Sequence, residues 1–219
     1  MAARWTRRWM VMAATAAIGA APVAARQARG EAEAMDAFDE GLLRLDLTLE
    51  QDGGYLLAAY RLANAGKVPV VVFDRLFVTD PAGGRTVDPD LCWRWVDAGG
   101  TYVMAKLVPS VPRGMRVESP EVPYARPLPA GGEVQGRALV PYPLDQHLPY
   151  DQTAPVPSAS EVSGVQLLLG YAAVDPDFAY TEIDTPEGAV LSVRPPWART
   201  RHRVLRSAVV EGRLALARG

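Results

Sequence analysis

The stretch LRLDLTLEQDGGYLLAAYRLANAGKVPVVVF, residues 43–73, decides the fold of this 219-residue chain. Over residues 43–50, leucine alternates with charged or hydroxyl-bearing residues. Successive side chains of a β-strand point to opposite faces, so this segment is predicted to be a strand with one apolar and one polar face. Gly53 and Gly54 follow as a turn, and a second alternation over residues 56–62 predicts the returning strand of a hairpin.

The rest of the chain carries the same two-residue rhythm and almost no helical periodicity. Further strands are predicted over residues 68–78, 91–96, 101–108, 133–140, 165–171, 189–193, 202–210 and 214–217. Short strands with turn signals at close spacing favour an all-β protein, an antiparallel immunoglobulin-like β-sandwich, over a parallel α/β sheet. We expect a single domain over residues 41–217, preceded by a linker over residues 26–40 in which residues 30–40 have a helical pattern.

One segment of this domain is unusually rich in proline. Eleven of the 19 prolines fall within residues 109–157. Proline fixes its own backbone and cannot donate a backbone hydrogen bond, so this density argues against a helix or a central strand. We predict that the segment wraps the sandwich as loops or polyproline-II structure. The alternative is that it forms a recognition surface.

The N-terminus has the three-part pattern of a secretory signal peptide over residues 1–25. It begins with arginines and no acid, continues with an apolar, alanine-rich run over residues 9–21, and ends in small residues. Thr6, Arg7 and Arg8 resemble the twin-arginine export motif. We therefore expect a periplasmic or secreted protein. An uncleaved N-terminal anchor is the alternative.

The composition limits the chemistry that is open to the chain. The formal net charge is −2, and the sequence has one cysteine and two histidines. One cysteine excludes an intramolecular disulfide framework and a multi-cysteine zinc site, and the acidic balance disfavours nucleic acid as a partner. The sequence contains no glycine-rich phosphate loop and no serine-hydrolase elbow. We predict a protein that is not an enzyme and that uses no cofactor and no metal.

Two chemical alternatives stay open. A hydrolase would have to use His202, or His147 with the nearby Asp145, although His147 fits an exposed loop position better. The acidic segment 175–184 offers oxygen atoms to a calcium ion. It lacks the spacing of a known calcium loop, so a solvated turn is the simpler interpretation.

Cys92, Trp93 and Trp95 lie in one predicted strand. The alternation places Cys92 on one face and both tryptophans, with Leu91, on the other. Cys92 is predicted to be a buried thiol, with an intermolecular disulfide as the alternative. The tryptophans are predicted to be part of the core. If their face points outward, Trp93 and Trp95 would form a platform for a ligand.

The C-terminal residues 194–219 contain seven arginines and one acid. Arg199, Arg201 and Arg203 occupy alternate positions, so on a strand they would project from one face as a basic stripe. The stripe would either protect a sheet edge or bind an anionic partner such as lipid head groups, a polyanionic glycan or an acidic protein. Its contrast with the acidic remainder of the chain favours oriented docking or weak self-association.

The segment YRLANAGKVPVVV, residues 60–72, resembles a recurring hairpin of immunoglobulin-like sandwich domains of exported bacterial proteins. The segment LPAGGE, residues 128–133, is similar to the entry of a later strand in those domains. Similar hairpins occur in the BsuPI-like proteinase-inhibitor domain and in pilus-chaperone-like sandwiches. The resemblance implies a sandwich fold and carries over no activity or site residue.

From these observations we expect an exported, non-enzymatic β-sandwich protein. It would bind or assemble at the cell envelope, with an envelope protein or an anionic surface as its partner. A secreted inhibitor or chaperone that acts by adding a strand to a sheet edge is the first alternative. A hydrolase without a recognisable motif is the second.

Overall fold

The computed structural model describes residues 39–118, 120–152 and 159–217. The predicted signal peptide, and the linker up to residue 38, lie outside the described residues. In chain order, the strands of the described ranges are β1 (Leu43–Asp52), β2 (Tyr55–Asn64), β3 (Val70–Arg75), β4 (Phe77–Thr79), β5 (Arg85–Val87), β6 (Trp93–Val96), β7 (Tyr102–Lys106), β8 (Tyr124–Leu128), β9 (Glu133–Pro141), β10 (Glu161–Ala173), β11 (Tyr180–Thr185), β12 (Gly188–Val193), β13 (Arg203–Arg206) and β14 (Val210–Ala215). One α-helix, α1 (Pro195–Arg201), and two 3-10 turns, Glu40–Leu42 and Pro149–Asp151, accompany them.

The first predicted hairpin is confirmed in full. β1 and β2 pair antiparallel without interruption, from Leu43 opposite Asn64 to Asp52 opposite Tyr55. Gly53 closes the turn with a φ of +54°, a left-handed conformation that glycine adopts without steric cost. The alternating apolar residues of both strands therefore lie on one face.

The strands form two layers. The small sheet has the order β1-β2-β9, and the large sheet has the order β11-β12-β8-β3-β10-β7-β6, with β13 and β14 also paired to β10. β4 and β5 form a separate two-stranded hairpin. The fold is thus an all-β, sandwich-like arrangement, as predicted from the alternation.

One pairing differs from the antiparallel prediction. β7 and β10 run parallel, with Tyr102 opposite Val165 and Lys106 opposite Leu169. Parallel neighbours need a long crossover connection, and the residues between β7 and β10, including β8 and β9, supply one. The sandwich is therefore built from one antiparallel and one mixed sheet.

The main core lies between the two sheets. Leu56 and Leu62 from the small sheet pack in one buried cluster with Met104, Leu167 and Leu169 from the large sheet. The opposite face of the large sheet is also covered, by two further apolar clusters. Because β10 is buried on both faces, its sequence is nearly continuous in apolar residues and alternates little.

The prediction that the proline-rich segment contains no central strand is wrong. β8 lies within residues 109–157 and is an interior strand of the large sheet, between β12 and β3. Pro127 is tolerated there because β12 meets β8 only where Leu191 pairs with Ala125, so Pro127 lies beyond that ladder. The loops on either side of β8 are irregular, as the proline content predicts.

Two further segments differ from prediction. The acidic segment 175–184 was expected to be a turn, but its second half is β11, which pairs with β12 along its length. The strand expected over residues 202–210 is divided into β13 and the start of β14. Within the described ranges, the structure contains no helix with the length and apolar character of a bilayer span.

Candidate anion-binding cleft

The three arginines of the predicted basic stripe do not lie on one strand. Arg199 and Arg201 belong to the last turn of α1, and Arg203 is the first residue of β13. The helix begins at Pro195 because proline fixes a helical φ and its missing N–H is not needed in a first turn. At 3.6 residues per turn, Arg199 and Arg201 point to nearly opposite sides, so the common face predicted for the stripe is wrong.

Arg201 forms an ion pair with Asp175 that holds α1 against the sheet. Its Nε lies 2.9 Å from Oδ2 of Asp175, which also accepts a hydrogen bond of 2.9 Å from Nε1 of Trp197 through Oδ1. These contacts use both carboxylate oxygens of Asp175, the first acid of the segment considered for calcium. No group of three potential metal ligands occurs in the part of the chain that the structure describes.

Arg199 has a different environment. It lines a cleft of about 240 Å³ between the end of α1 and the loop that follows β7. The other lining residues are Val108, Pro109, Ser110, Val111 and His202; we call this the Arg199 cleft. Arg199 is exposed and makes no ion pair with any residue in the described ranges. Its charge is therefore available to a ligand in the cleft.

His202 forms the inner wall of the Arg199 cleft. Its Nε2 accepts a hydrogen bond of 3.3 Å from the backbone N–H of Val108, and its ring meets Phe73 edge-on at 5.9 Å. Burial lowers the pKa of His202 to about 4, so the imidazole is neutral at neutral pH. Since Nε2 accepts, the proton of the neutral ring lies on Nδ1.

Gly170 in β10 leaves the space that the His202 ring occupies. A Cβ at Gly170 would lie 2.7 Å from His202 Nε2 and 2.8 Å from the Cα of Leu107. Both separations are shorter than real Cβ contacts allow. Glycine is thus required where the imidazole lies against the sheet.

Tyr150, in the proline-rich segment, lies near the Arg199 cleft. It adopts a left-handed backbone conformation, with φ 60° and ψ 33°, which costs a non-glycine residue about 1 kcal/mol or more. Its hydroxyl accepts a hydrogen bond of 3.2 Å from the backbone N–H of Glu121. Burial raises the pKa of Tyr150, while the positive charge of Arg199 opposes that rise. The hydrogen bond between Glu121 and Tyr150 therefore joins two distant parts of the proline-rich segment.

The predicted tryptophan face is the outer face of the large sheet. Trp93 and Trp95 pack with Val103 and Ala105 in a cluster opposite the main core. Trp93 is only 9% exposed, Trp95 is half-buried, and the exposed ring of His147 stacks on Trp93 with the centroids 5.5 Å apart. The tryptophans are thus part of a small outer cluster, and Trp93 is too covered to serve as an open platform.

Cys92 directly precedes β6 and points to the side opposite Trp93, as predicted. It is fully buried in the main core, and burial raises the pKa of its thiol to about 11. A thiol with this pKa is unreactive at neutral pH, and full burial leaves it out of reach of a second chain. The prediction of a buried structural cysteine is confirmed.

The Asp145 and His147 pair considered for a hydrolase lies outside the Arg199 cleft. Asp145 accepts two hydrogen bonds from Arg94, at 2.6 and 2.8 Å, and hydrogen bonding by Arg94 lowers the pKa of Asp145. His147 is held by its backbone pairing with Arg94 and by stacking on Trp93. Both residues thus hold the loop after β9 against β6.

Sequence reasoning identified Arg199 but missed Ser110 and the role of His202. The loop of residues 108–111 and the end of α1 are about ninety residues apart in the chain and meet only because β7 and β10 are neighbours. The adjacent prolines at 195 and 196 are the one local signal that would have placed Arg199 at a helix end. A comparison of the chain with protein-family models, with curated proteins and with solved structures finds no match.

Proposed function

We propose that this chain is an exported, non-enzymatic β-sandwich protein that binds an anionic partner at the cell envelope, with the Arg199 cleft as the binding site. The observation that carries the proposal is the exposed guanidinium of Arg199, which has no ion-pair partner among the described residues and lines a cleft with Ser110 and the neutral ring of His202. Concave sites with a few convergent polar groups are the usual places where proteins bind small ligands.

The chemistry of the cleft favours binding over catalysis. A hydrolytic triad needs a histidine that is a good base and a carboxylate that orients it. Burial alone accounts for the low pKa of His202, and its Nε2 is already occupied by Val108. His202 is therefore suited to donating a hydrogen bond and poorly suited to abstracting a proton from Ser110.

The binding proposal is tested with the full chain on a negatively charged matrix such as heparin-agarose. We expect retention at low salt that Arg199→Gln weakens, because one positive charge in the site is lost. Arg213, which is exposed on β14, is the matched control, since Arg213→Gln makes the same charge change elsewhere. Equal elution of the two variants would contradict a role for the cleft.

Export is tested separately, by expressing the full chain in a bacterium and fractionating the cells. The proposal expects the protein in the periplasm or medium with a new N-terminus at Arg26. Accumulation of the intact chain in the cytoplasm would refute export. Proteins that co-purify from the envelope fraction would identify the partner.

Edge-strand addition is the second candidate, and one observation favours it. β1 is ten residues long and is an outer strand of the small sheet, where β2 is its one partner among the strands that the structure describes. A long edge strand is a template for an added strand. Replacing Leu47 at the centre of β1 by proline should then abolish capture of a protease or an unfolded client, and capture that survives this substitution would exclude the edge.

A further inference from the structure

We propose that two copies of this chain associate through β1, edge to edge, so that their three-stranded small sheets join into one continuous sheet. This inference goes beyond the proposed function, because β1 lies outside the Arg199 cleft and its partner is the chain itself. It follows from the backbone groups on the outer edge of β1, from the charges along that strand and from the leucines on its inner face.

The outer edge of β1 presents backbone groups that have no partner strand. The N–H of Ala65 donates to the carbonyl of Leu42 at 2.9 Å, so the even-numbered residues of β1 are hydrogen-bonded to β2 and the odd-numbered ones face away from it. The N–H of Leu43 is used by the carbonyl of Glu40. β14 of the large sheet approaches β1 but is paired with β10. Within the described ranges, no backbone hydrogen bond engages the outward N–H and C=O groups of residues 45, 47, 49 and 51.

Other outer strands show how this molecule closes an edge. β6 is covered by His147, whose backbone exchanges two hydrogen bonds of 2.8 Å with Arg94. β9 ends in Pro141, and the N–H of its Leu139 donates a 3.0 Å hydrogen bond to the carbonyl of Asp90. β1 has ten residues, no proline and an uninterrupted register with β2. It is therefore the kind of edge that a further strand can extend.

The charges along β1 favour a second copy in one antiparallel register. A two-fold axis brings a strand against its own copy, antiparallel. With the axis at Leu47, Arg44 of each copy lies directly opposite Glu50 of the other, on the solvent-facing side of the sheet. Arg44 is exposed and contacts Asp46 of its own strand at 3.0 Å. Glu50 is exposed and makes no ion pair with any residue that the structure describes, so it is available to the second copy.

Neighbouring registers satisfy these conditions less well. Moving the axis by two residues keeps the outward backbone groups facing each other but changes the side-chain pairs. An axis at Leu49 would place Asp46 opposite Asp52, which are like charges. An axis at Leu45 would leave only residues 43–47 to pair, because the residues before Leu43 form a 3-10 turn. The axis at Leu47 uses nearly the whole strand and pairs unlike charges.

The inner face of β1 would also be covered better in the dimer. Leu43 and Leu45 are buried in the main core, whereas Leu47 and Leu49 are half-buried. In the proposed register, Leu45 of one copy lies beside Leu49 of the other, and Leu47 lies beside its own copy. The added strand would therefore remove from water apolar surface that a single copy leaves partly exposed.

Sedimentation equilibrium of the full chain, from about 1 µM to about 1 mM, measures this association. We expect a monomer–dimer equilibrium with a micromolar dissociation constant, because one pair of edge strands is a small interface. Glu50→Arg should weaken the dimer about tenfold, since two attractive cross-strand pairs become repulsive. Arg44→Glu should weaken it by about the same factor. The double variant Arg44→Glu with Glu50→Arg should restore the dimer, because each pair is present again with its charges exchanged.

The matched control is Glu182→Arg, since Glu182 is an exposed acid on β11, an outer strand of the large sheet. It should leave the dissociation constant unchanged, and circular dichroism checks that each variant is folded. A chain that stays monomeric up to about 1 mM overturns the inference. So does a dimer that the β1 charge variants leave unchanged, and so does a monomer whose β1 edge captures an unfolded client instead. Retention on heparin through Arg199 is measured separately, so the failure of the dimer and the failure of the anion-binding proposal are distinguishable.

Discussion

The sandwich is predicted to depend on one buried carboxylate, Asp74 in β3. The side chain of Asp74 is completely buried. The hydroxyl of Tyr60 in β2 donates a 2.6 Å hydrogen bond to Oδ2, and Nε of Arg126 in β8 donates to both oxygens, at 2.9 and 3.1 Å. Asp74 therefore links the small sheet to the large sheet through hydrogen bonds as well as by packing.

The substitution Asp74→Asn keeps the shape of the side chain and removes its charge. Arg126, whose side chain is 15% exposed, would lose its counter-charge. The charged form of the buried Lys106 would also be less stable. Burial lowers the pKa of Lys106 to about 8, and the negative charge of Asp74 opposes that lowering. Removing one partner of a buried ion pair costs about 3–5 kcal/mol, a large part of the roughly 5–15 kcal/mol by which domains are stable.

Urea unfolding followed by tryptophan fluorescence measures this loss. We expect Asp74→Asn to lower the free energy of unfolding by about 3–5 kcal/mol. The double variant Asp74→Asn with Arg126→Met should recover part of the loss, because no unpaired guanidinium remains. Asp46→Asn, which breaks an exposed pair with Arg44, is the control and should change little. A loss below about 1 kcal/mol for Asp74→Asn, the range of surface pairs, would refute the reasoning.

Three further predictions concern the surroundings of the cleft. Because the folded-state pKa of His202 is lowered to about 4, the unfolded chain binds its proton first, so stability should fall as the pH drops from about 6.5 to about 4. We expect about 2 kcal/mol for this half-buried ring, and His202→Gln should flatten that part of a urea-midpoint titration; equal slopes in both proteins would contradict it. Gly170→Ala should cost about 1–3 kcal/mol in the same unfolding assay, since its Cβ would press on His202. Gly212→Ala, where the Cβ meets open space, should be neutral or slightly stabilising, and similar losses in both would argue against the clash. Arg201→Gln should lower stability by about 1 kcal/mol through loss of the Asp175 pair, and an unchanged thermal midpoint would show that the pair does not anchor α1.

The features of the fold that could be predicted from the sequence depend on local alternation. The hairpin of β1 and β2 is specified by ten consecutive pairs and a glycine turn, so each residue's face follows from its position. The opposite faces of Cys92 and Trp93 follow in the same way. Alternation gives the face of a side chain relative to its own strand. It does not say whether a second layer covers that face, which is why the place of Trp93 stayed open.

The features that could not be predicted depend on pairing between distant segments. A proline is excluded from a strand position where a neighbouring strand needs its backbone N–H as a hydrogen-bond donor. β12 pairs with β8 only at Ala125, so it needs no donor from Pro127. The same limit applies to Arg199 and Arg203, whose spacing fits a strand and also fits a helix that ends between them. Only the prolines at the start of α1 distinguish these readings locally.

The Arg199 cleft illustrates how a site can arise from a backbone requirement in a third segment. His202 can lie against the sheet because Gly170 has no side chain, and that position brings its Nε2 to the N–H of Val108. This bond fixes the tautomer of His202 and places the loop that carries Ser110 beside the end of α1. A larger residue at position 170 would move the imidazole away and open the cleft, even though it would touch neither Arg199 nor Ser110. The shape of the Arg199 cleft thus depends on a glycine in the interior of β10, a position that no motif of charged or nucleophilic residues would reveal.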